Sequence, residues 1–193
     1  MSGSVAREDG ARLMAAIAAG DRAAMATLME RHARGLRGVA ARYLGSEEEA
    51  EEIVQDAFLR AWRHAERYDP AKAAVSTWLY RITVNLCVDR RRRGAFRRFV
   101  GLEAAGGEDM LADPAPGAEA QLAGRSQLAA ARHALLRLPA RQRMAILLSA
   151  VAGLSSREVA GVLETSQGSV EQLLVRDRRR LREELSETNG GAQ

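Results

Sequence analysis

A chain of 193 residues that is 47% hydrophobic, 28% charged and only 4% aromatic has the balance of a globular protein, with room for one large domain or two small ones. It holds no apolar run near the roughly 18 residues of a membrane span. Its opening MSGSVARED lacks the order of a signal peptide, so a cytoplasmic protein without direct membrane insertion is expected.

The periodicity is helical nearly throughout, which predicts an all-α fold class. Residues 10–20, carrying Leu13, Met14 and Ile17, predict a short first helix. From Asp21 to Leu44 the apolar positions Met25, Leu28, Met29, Leu36, Val39, Ala40, Tyr43 and Leu44 recur at helical spacing, and Gly45 is placed to stop the helix. Ser46 with Glu49 predicts a capping box for the next helix, whose core stripe reads Ala50, Ile53, Val54, Ala57, Phe58, Ala61 and Trp62. Asp69-Pro70 breaks the pattern, and a further helix starts near Ser76 and runs into the arginines at 90–93. Residues 101–124 are rich in Gly, Ala, Pro and acid and predict a flexible linker. Helices resume over 127–138 and 141–152, the latter ended by Gly153. A second capping box, Ser155 with Glu158, opens a helix to Leu163. The turn Glu164-Thr165-Ser166 leads into a longer helix from about Gln167 to Leu185, and the tail SETNGGAQ predicts disorder. Two small helical domains joined by a tether are therefore expected.

The formal charge of +4 is uneven along that layout: 16 basic and 13 acidic residues lie in 1–93, 2 and 5 in 94–124, and 11 and 7 in 125–193. Two basic ends around an acidic middle fit two contacts with a polyanion such as nucleic acid. Twenty-eight arginines against one lysine equally fit the codon bias of a GC-rich genome, so charge alone leaves the question open.

Three constellations carry more information. Residues 155–182 have the short helix, turn and longer helix of a helix-turn-helix. The second helix begins with the polar Ser166, Gln167, Ser169 and Gln172, suited to base edges, and ends with Arg176, Arg178, Arg179, Arg180 and Arg182, suited to phosphates. An ordinary helical hairpin whose basic end favours the helix dipole is the bland alternative. The helix from Ser76 carries Trp78, Arg81, Asn85, Asp89 and Arg92 along one stripe, opposite Leu79, Ile82 and Leu86. An exposed aromatic beside Arg and Asn suits an unpaired base, although Trp78 fits the core equally well. Arg90, Arg91, Arg92 and Arg93, followed by Arg97 and Arg98, favour a phosphate contact. Finally, Glu47, Glu48, Glu49, Glu51, Glu52 and Asp56 exceed what helix capping needs and fit an acidic protein-docking face.

No catalytic arrangement is visible: no His is paired with Ser or Cys, no glycine loop cradles phosphate, and no ligand spacing for a metal occurs. The chain is read as no enzyme, with no catalytic residues, no metal, no cofactor and no small-molecule substrate. The single Cys87 falls in the core register of its helix and is read as packing rather than a redox sensor.

The ordered runs EEAEEIVQDAFLRAWR, STWLYRITVNLCVDRRRR and LPARQRMAILLSAVAGLSSREVAGVLETSQGSVEQLLVRDRRRLR resemble the extracytoplasmic-function sigma factors, small two-domain initiation factors of the sigma-70 class. The resemblance implies a domain at 10–98 for core RNA polymerase and the −10 element, a linker at 99–124, and a helix-turn-helix domain at 125–186 for the −35 element. It implies core polymerase contacts through Glu51, Glu52, Gln55, Asp56, Phe58 and Leu59. It implies that the Asp69–Thr77 loop and the following helix, with Ser76, Thr77, Trp78, Arg81, Asn85, Asp89, Arg90, Arg91, Arg92 and Arg93, open and read the −10 element of promoter DNA. It implies −35 contacts across Ser166–Arg179 and control by an anti-sigma factor. The chain departs from the family at Glu164, where glycine is frequent, and at Glu171-Gln172-Leu173 in the recognition helix. Two other classes compete: a sigma-like decoy that sequesters an anti-sigma factor without binding DNA, and a helix-turn-helix repressor that dimerises through its first domain.

Overall fold

The computed structural model describes residues 2–99, 134–176 and 179. The expected linker at 101–124, the start of the 127–138 helix, Arg178 and the C-terminal tail lie outside the described residues. Helices α1 (Ser2–Ala18), α2 (Arg22–Leu44), α3 (Glu47–Arg63) and α4 (Val75–Phe99) form the first domain, with a 3-10 turn at Ala65–Arg67. The second contains a helical stretch at 134–137, α5 (Ala140–Ala150), α6 (Ser156–Leu163) and α7 (167–176). No strand occurs among the described residues.

Helix boundaries follow local chemistry. The Asp21 carboxylate accepts from the amides of Ala23 and Ala24 at 2.8 and 3.1 Å, satisfying two donors that α2 leaves open. Gly45, at φ 86°, ends α2 in the left-handed conformation, donating its N–H to Ala41 O. Ser46 accepts from Glu49 N at 3.2 Å, while the Glu49 carboxylate turns to Arg90 at 3.4 Å instead of closing the expected box. At α6 the box closes both ways: Glu158 N donates to Ser155 Oγ and Ser155 N to Glu158 Oε2.

The first core is built around fully buried Leu28, Leu36, Val39, Ala40, Ala50, Ile53, Ala57, Ala61, Leu79 and Cys87. Alanines at four of these positions let α2 and α3 approach closely. Gly35 does the same between α2 and α4, since a Cβ there would lie 2.5 Å from the Tyr80 hydroxyl. α1 begins earlier than predicted and buries Met14 and Ile17 against this core.

The two domains do not stand apart. α5 packs on α2 and α6 packs on α4, and one apolar core runs through both. This explains why Arg143, Met144, Ala145, Ile146, Leu147 and Leu148 are all buried, six successive residues that cover every face of α5. The two expected helical domains are present, and they pack on each other: the apolar surface of α5 exceeds what α6 and α7 alone can cover, and α2 covers the rest.

Candidate nucleic-acid interface

On α4, Trp78, Ile82 and Asn85 follow one another at helical spacing along one face. With Arg60, Arg63, His64 and Arg67 from the end of α3 and the turn after it, they line an open groove of about 440 Å³. Trp78 is half-buried, and Tyr68 meets it edge-on with ring centres 5.6 Å apart. The Tyr68 hydroxyl donates to Ala73 O at 3.0 Å, which ties the loop before α4 to the aromatic pair. In that loop the Asp69 carboxylate accepts from Ala71 N at 3.0 Å and pairs with Lys72. Those contacts, the backbone one foremost, hold it below the usual carboxylate range. Trp78 thus combines both sequence readings, one part packed and one part open.

Other members of the predicted stripe are differently employed. The Arg81 guanidinium donates to Gly161 O at 2.6 Å and lies 3.7 Å from the Glu164 carboxylate, so the second domain covers it. Thr77 is buried beside Gly161 of the second domain, while Ser76 is half-buried. Arg90 is drawn back to α3, 2.7 Å from Glu52 and 3.4 Å from Glu49, which raises its affinity for its proton. Arg91 lies over the Tyr43 ring at 5.7 Å, and Arg92 pairs with Asp89 at 3.2 Å. Asn85 and Arg93 are exposed, and the side chains of Arg97 and Arg98 lie outside the described residues.

On α3, Glu51, Glu52, Gln55, Asp56 and Leu59 share the exposed side, Leu59 at 51%. Phe58 does not join them. It is 3% exposed because its register with Val54 and Ala61 turns it into the core. Glu47 and Glu51 also bracket Arg37, at 3.4 and 3.5 Å.

In the second domain, Glu164 adopts φ 52°, the left-handed turn expected where glycine is frequent. Val170 and Leu174 anchor α7 inward, leaving Ser166, Gln167, Ser169 and Gln172 exposed. Ser166 Oγ and Ser169 Oγ are 2.7 Å apart, and Gln167 donates to Glu171 at 2.8 Å. Glu171, Gln172, Val175, Arg176 and Arg179 line a shallow concavity of about 470 Å³ along the outer face. Val175, 72% exposed, was not singled out from the sequence, nor were Arg60, Arg63, His64 and Arg67. An apolar residue interrupting a polar face was the available signal for Val175. The basic residues gain meaning only once α3 and α4 are set side by side.

Among the described residues no group of three His, Cys, Asp or Glu side chains is placed to hold a metal, and no helix is long and apolar enough to cross a membrane. Residues 28–97 match the family model for sigma-70 region 2, and 128–181 match that for sigma-70 region 4. The chain is 38% identical over 183 residues to the ECF RNA polymerase sigma factor SigM of Mycobacterium tuberculosis, covering 94% of this chain and 87% of that protein. It is 35% identical over 182 residues to the RNA polymerase sigma factor CnrH of Cupriavidus metallidurans, covering 90% and 93%. Among solved structures, CnrH in complex with the cytosolic domain of CnrY matches with a TM-score of 0.67 at 27% identity, over 92% of this chain and 97% of that one. The sigma factor RpoE in complex with the anti-sigma factor NepR from Bartonella quintana shares the fold, with a TM-score of 0.60 at 24% identity over 78% and 89%.

Proposed function

We propose a division of work for this chain, which belongs to the extracytoplasmic-function sigma factors, transcription initiation factors of the sigma-70 class. The exposed acidic side of α3 docks on core RNA polymerase through Glu51, Glu52, Gln55, Asp56 and Leu59. The groove at Trp78 and Asn85 takes a base of the melted −10 element. The outer face of α7 reads the −35 element as duplex, with Arg176 and Arg179 on phosphates and Val175 against a thymine methyl. The observation that carries this reading is the groove itself: an aromatic face held edge-on by Tyr68, beside an exposed amide, open to solvent. Extruding a base costs roughly a few kcal/mol, which stacking on such a face and contacts to polymerase offset.

The packed arrangement of the domains is the silent state. The two promoter elements are separate sites along the duplex, each base-pair step between them adding about 3.4 Å. A compact chain of this length has a radius of gyration of about 16 Å. It cannot touch both elements while α5 and α6 sit on α2 and α4. Separation frees Arg81 for DNA. A partner that grips both domains together enforces the silent state. The likeness along both domains to CnrH, solved with the cytosolic domain of CnrY, supports an anti-sigma factor in that role.

Run-off transcription with purified core polymerase and a promoter library tests the reading. Initiation above background is expected, and failure both to bind core and to initiate refutes it. Trp78→Ala should impair open-complex formation more than closed-complex binding; equal losses would argue against base capture.

A further inference from the structure

Helix α1 lies ahead of residues 28–97, the part of the chain that matches sigma-70 region 2, and holds none of the residues proposed for polymerase or DNA. It nevertheless touches both ends of the loop that precedes Trp78. Met14 and Ile17 are buried, and the helix packs on the 3-10 turn at Ala65–Arg67 as well as on α4. Tyr68, which meets Trp78 edge-on, follows that turn directly and donates its N–H to Ala65 O at 3.1 Å. At the other end of the loop, buried Gly10 lies against Val75, the first residue of α4. A Cβ at Gly10 would stand 2.9 Å from Val75 Cγ1. Alanine is the better residue for the middle of a 17-residue helix, so glycine here serves the close approach. Val75 is buried and β-branched, and its methyl cannot swing aside freely. An ion pair from Asp9 to Arg31 ties α1 to α2 beside this contact.

We infer that α1 is a positioning element for the groove: Gly10, seated on Val75, sets where α4 begins and so how Trp78 stands against Tyr68. The inference rests on the reading of the groove as the place that takes a −10 base. Gly10 meets no DNA itself and acts through Val75, three residues ahead of Trp78 on the same helix. The Tyr68 ring is held from the other side, by the turn on which α1 also packs. One helix outside the matched region thus fixes both members of the aromatic pair.

The test is a double-mutant cycle in the full chain, with core polymerase and a promoter carrying 2-aminopurine in its −10 element. At an ordinary helix position Gly10→Ala would raise the thermal midpoint and leave opening alone. Positioning predicts instead that opening slows about fivefold while core binding stays within about twofold, the coupling expected of residues in contact. In a Val75→Ala background, which removes the methyl that the new Cβ would strike, Gly10→Ala should have no effect. Ala15→Gly, on the exposed side of α1, should leave opening unchanged. Where Trp78→Ala slows opening, three results overturn the inference: unslowed opening in Gly10→Ala, the same slowing in the Val75→Ala background, or equal slowing by Ala15→Gly. Acrylamide quenching of Trp78, read without DNA in a Trp62→Phe background, separates the two ideas. A quenching change in Gly10→Ala that Val75→Ala abolishes, with opening undisturbed by Trp78→Ala, keeps the positioning and rejects base capture. Unchanged quenching with opening slowed by Trp78→Ala rejects the positioning alone.

Discussion

The guanidinium carbon of Arg143 lies 5.1 Å from the centre of the Tyr43 ring, across the contact between the two domains, and the side chain is 1% exposed. Its Nε and Nη1 have no hydrogen-bond partner among the described residues, and Arg91 stands 5.7 Å from the same ring. Burial foremost, and then Arg91, loosen its hold on its proton. A desolvated cation over an aromatic gains about 2 kcal/mol, while each unsatisfied buried donor of a charged group costs about 1–3 kcal/mol. The domain contact is thus built on a residue that is costly to keep there, which suits a contact that must open.

Replacing that cation by an apolar side chain of similar length should therefore close the molecule more firmly. Arg143→Met is expected to stabilise the packed state by about 1 kcal/mol and raise the thermal midpoint by about 2–4 °C. Transcription at a fixed amount of core polymerase should fall. A lowered midpoint in thermal denaturation would mean that the cation–π contact outweighs the unmet donors.

Glu164 offers the opposite handle. Its carboxylate sits 3.7 Å from Arg81, and both side chains are well exposed, at 73% and 37%, so their attraction is worth about 0.2–1 kcal/mol. Glu164→Gln should shift the closed–open balance toward open by at most about fivefold and increase initiation modestly, because it weakens the domain contact without altering a residue assigned to DNA. Small-angle scattering should report a larger mean dimension. An unchanged dimension with unchanged initiation would remove this pair from the closing contact.

Sequence periodicity reached most of the fold because each helix announces itself locally: Asp21 and Ser46 at starts, Gly45 and Gly153 at ends, and apolar stripes between them. Cys87 is buried, as its register predicts. What the pattern could not reveal depends on distant neighbours. Arg143 reads as a surface residue until α2 is laid over α5, and Arg90 reads as one of four equivalent arginines until Glu49 and Glu52 come within reach. Phe58 fitted two readings, and helical register decides between them in favour of the core.

Cys87 gives a prediction in pH. Burial above all, with Glu49 adding to it, pushes its thiol up to about 12 from 9.0. The folded chain therefore keeps the proton that the unfolded chain releases first. The stability tied to this group is fully present below about pH 9 and is lost as pH rises from there through about 12. At pH 8 the native thiol should resist a thiolate-selective reagent that labels the denatured chain rapidly. Rapid labelling of the native chain would contradict the burial.

Arg90 and Arg92 are neighbouring arginines with separable roles. Arg90 links α4 to α3 through Glu52 and Glu49, whereas Arg92 is 78% exposed and, among the described residues, pairs within its own helix at Asp89. Arg90→Ala should cost about 1 kcal/mol of stability, lower the thermal midpoint by about 2–4 °C, and weaken core polymerase binding by releasing Glu52 from its fixed position. Arg92→Ala should leave the midpoint within about 1 °C, since an exposed pair three residues apart contributes a few tenths of a kcal/mol. Its loss should instead appear in promoter binding, as a salt slope lower by about 0.9 for one duplex phosphate contact. Parallel denaturation and salt-titrated promoter binding decide the matter. If both variants lose the same stability and the same slope, the ion pairs seen on α3 do not distinguish the two arginines.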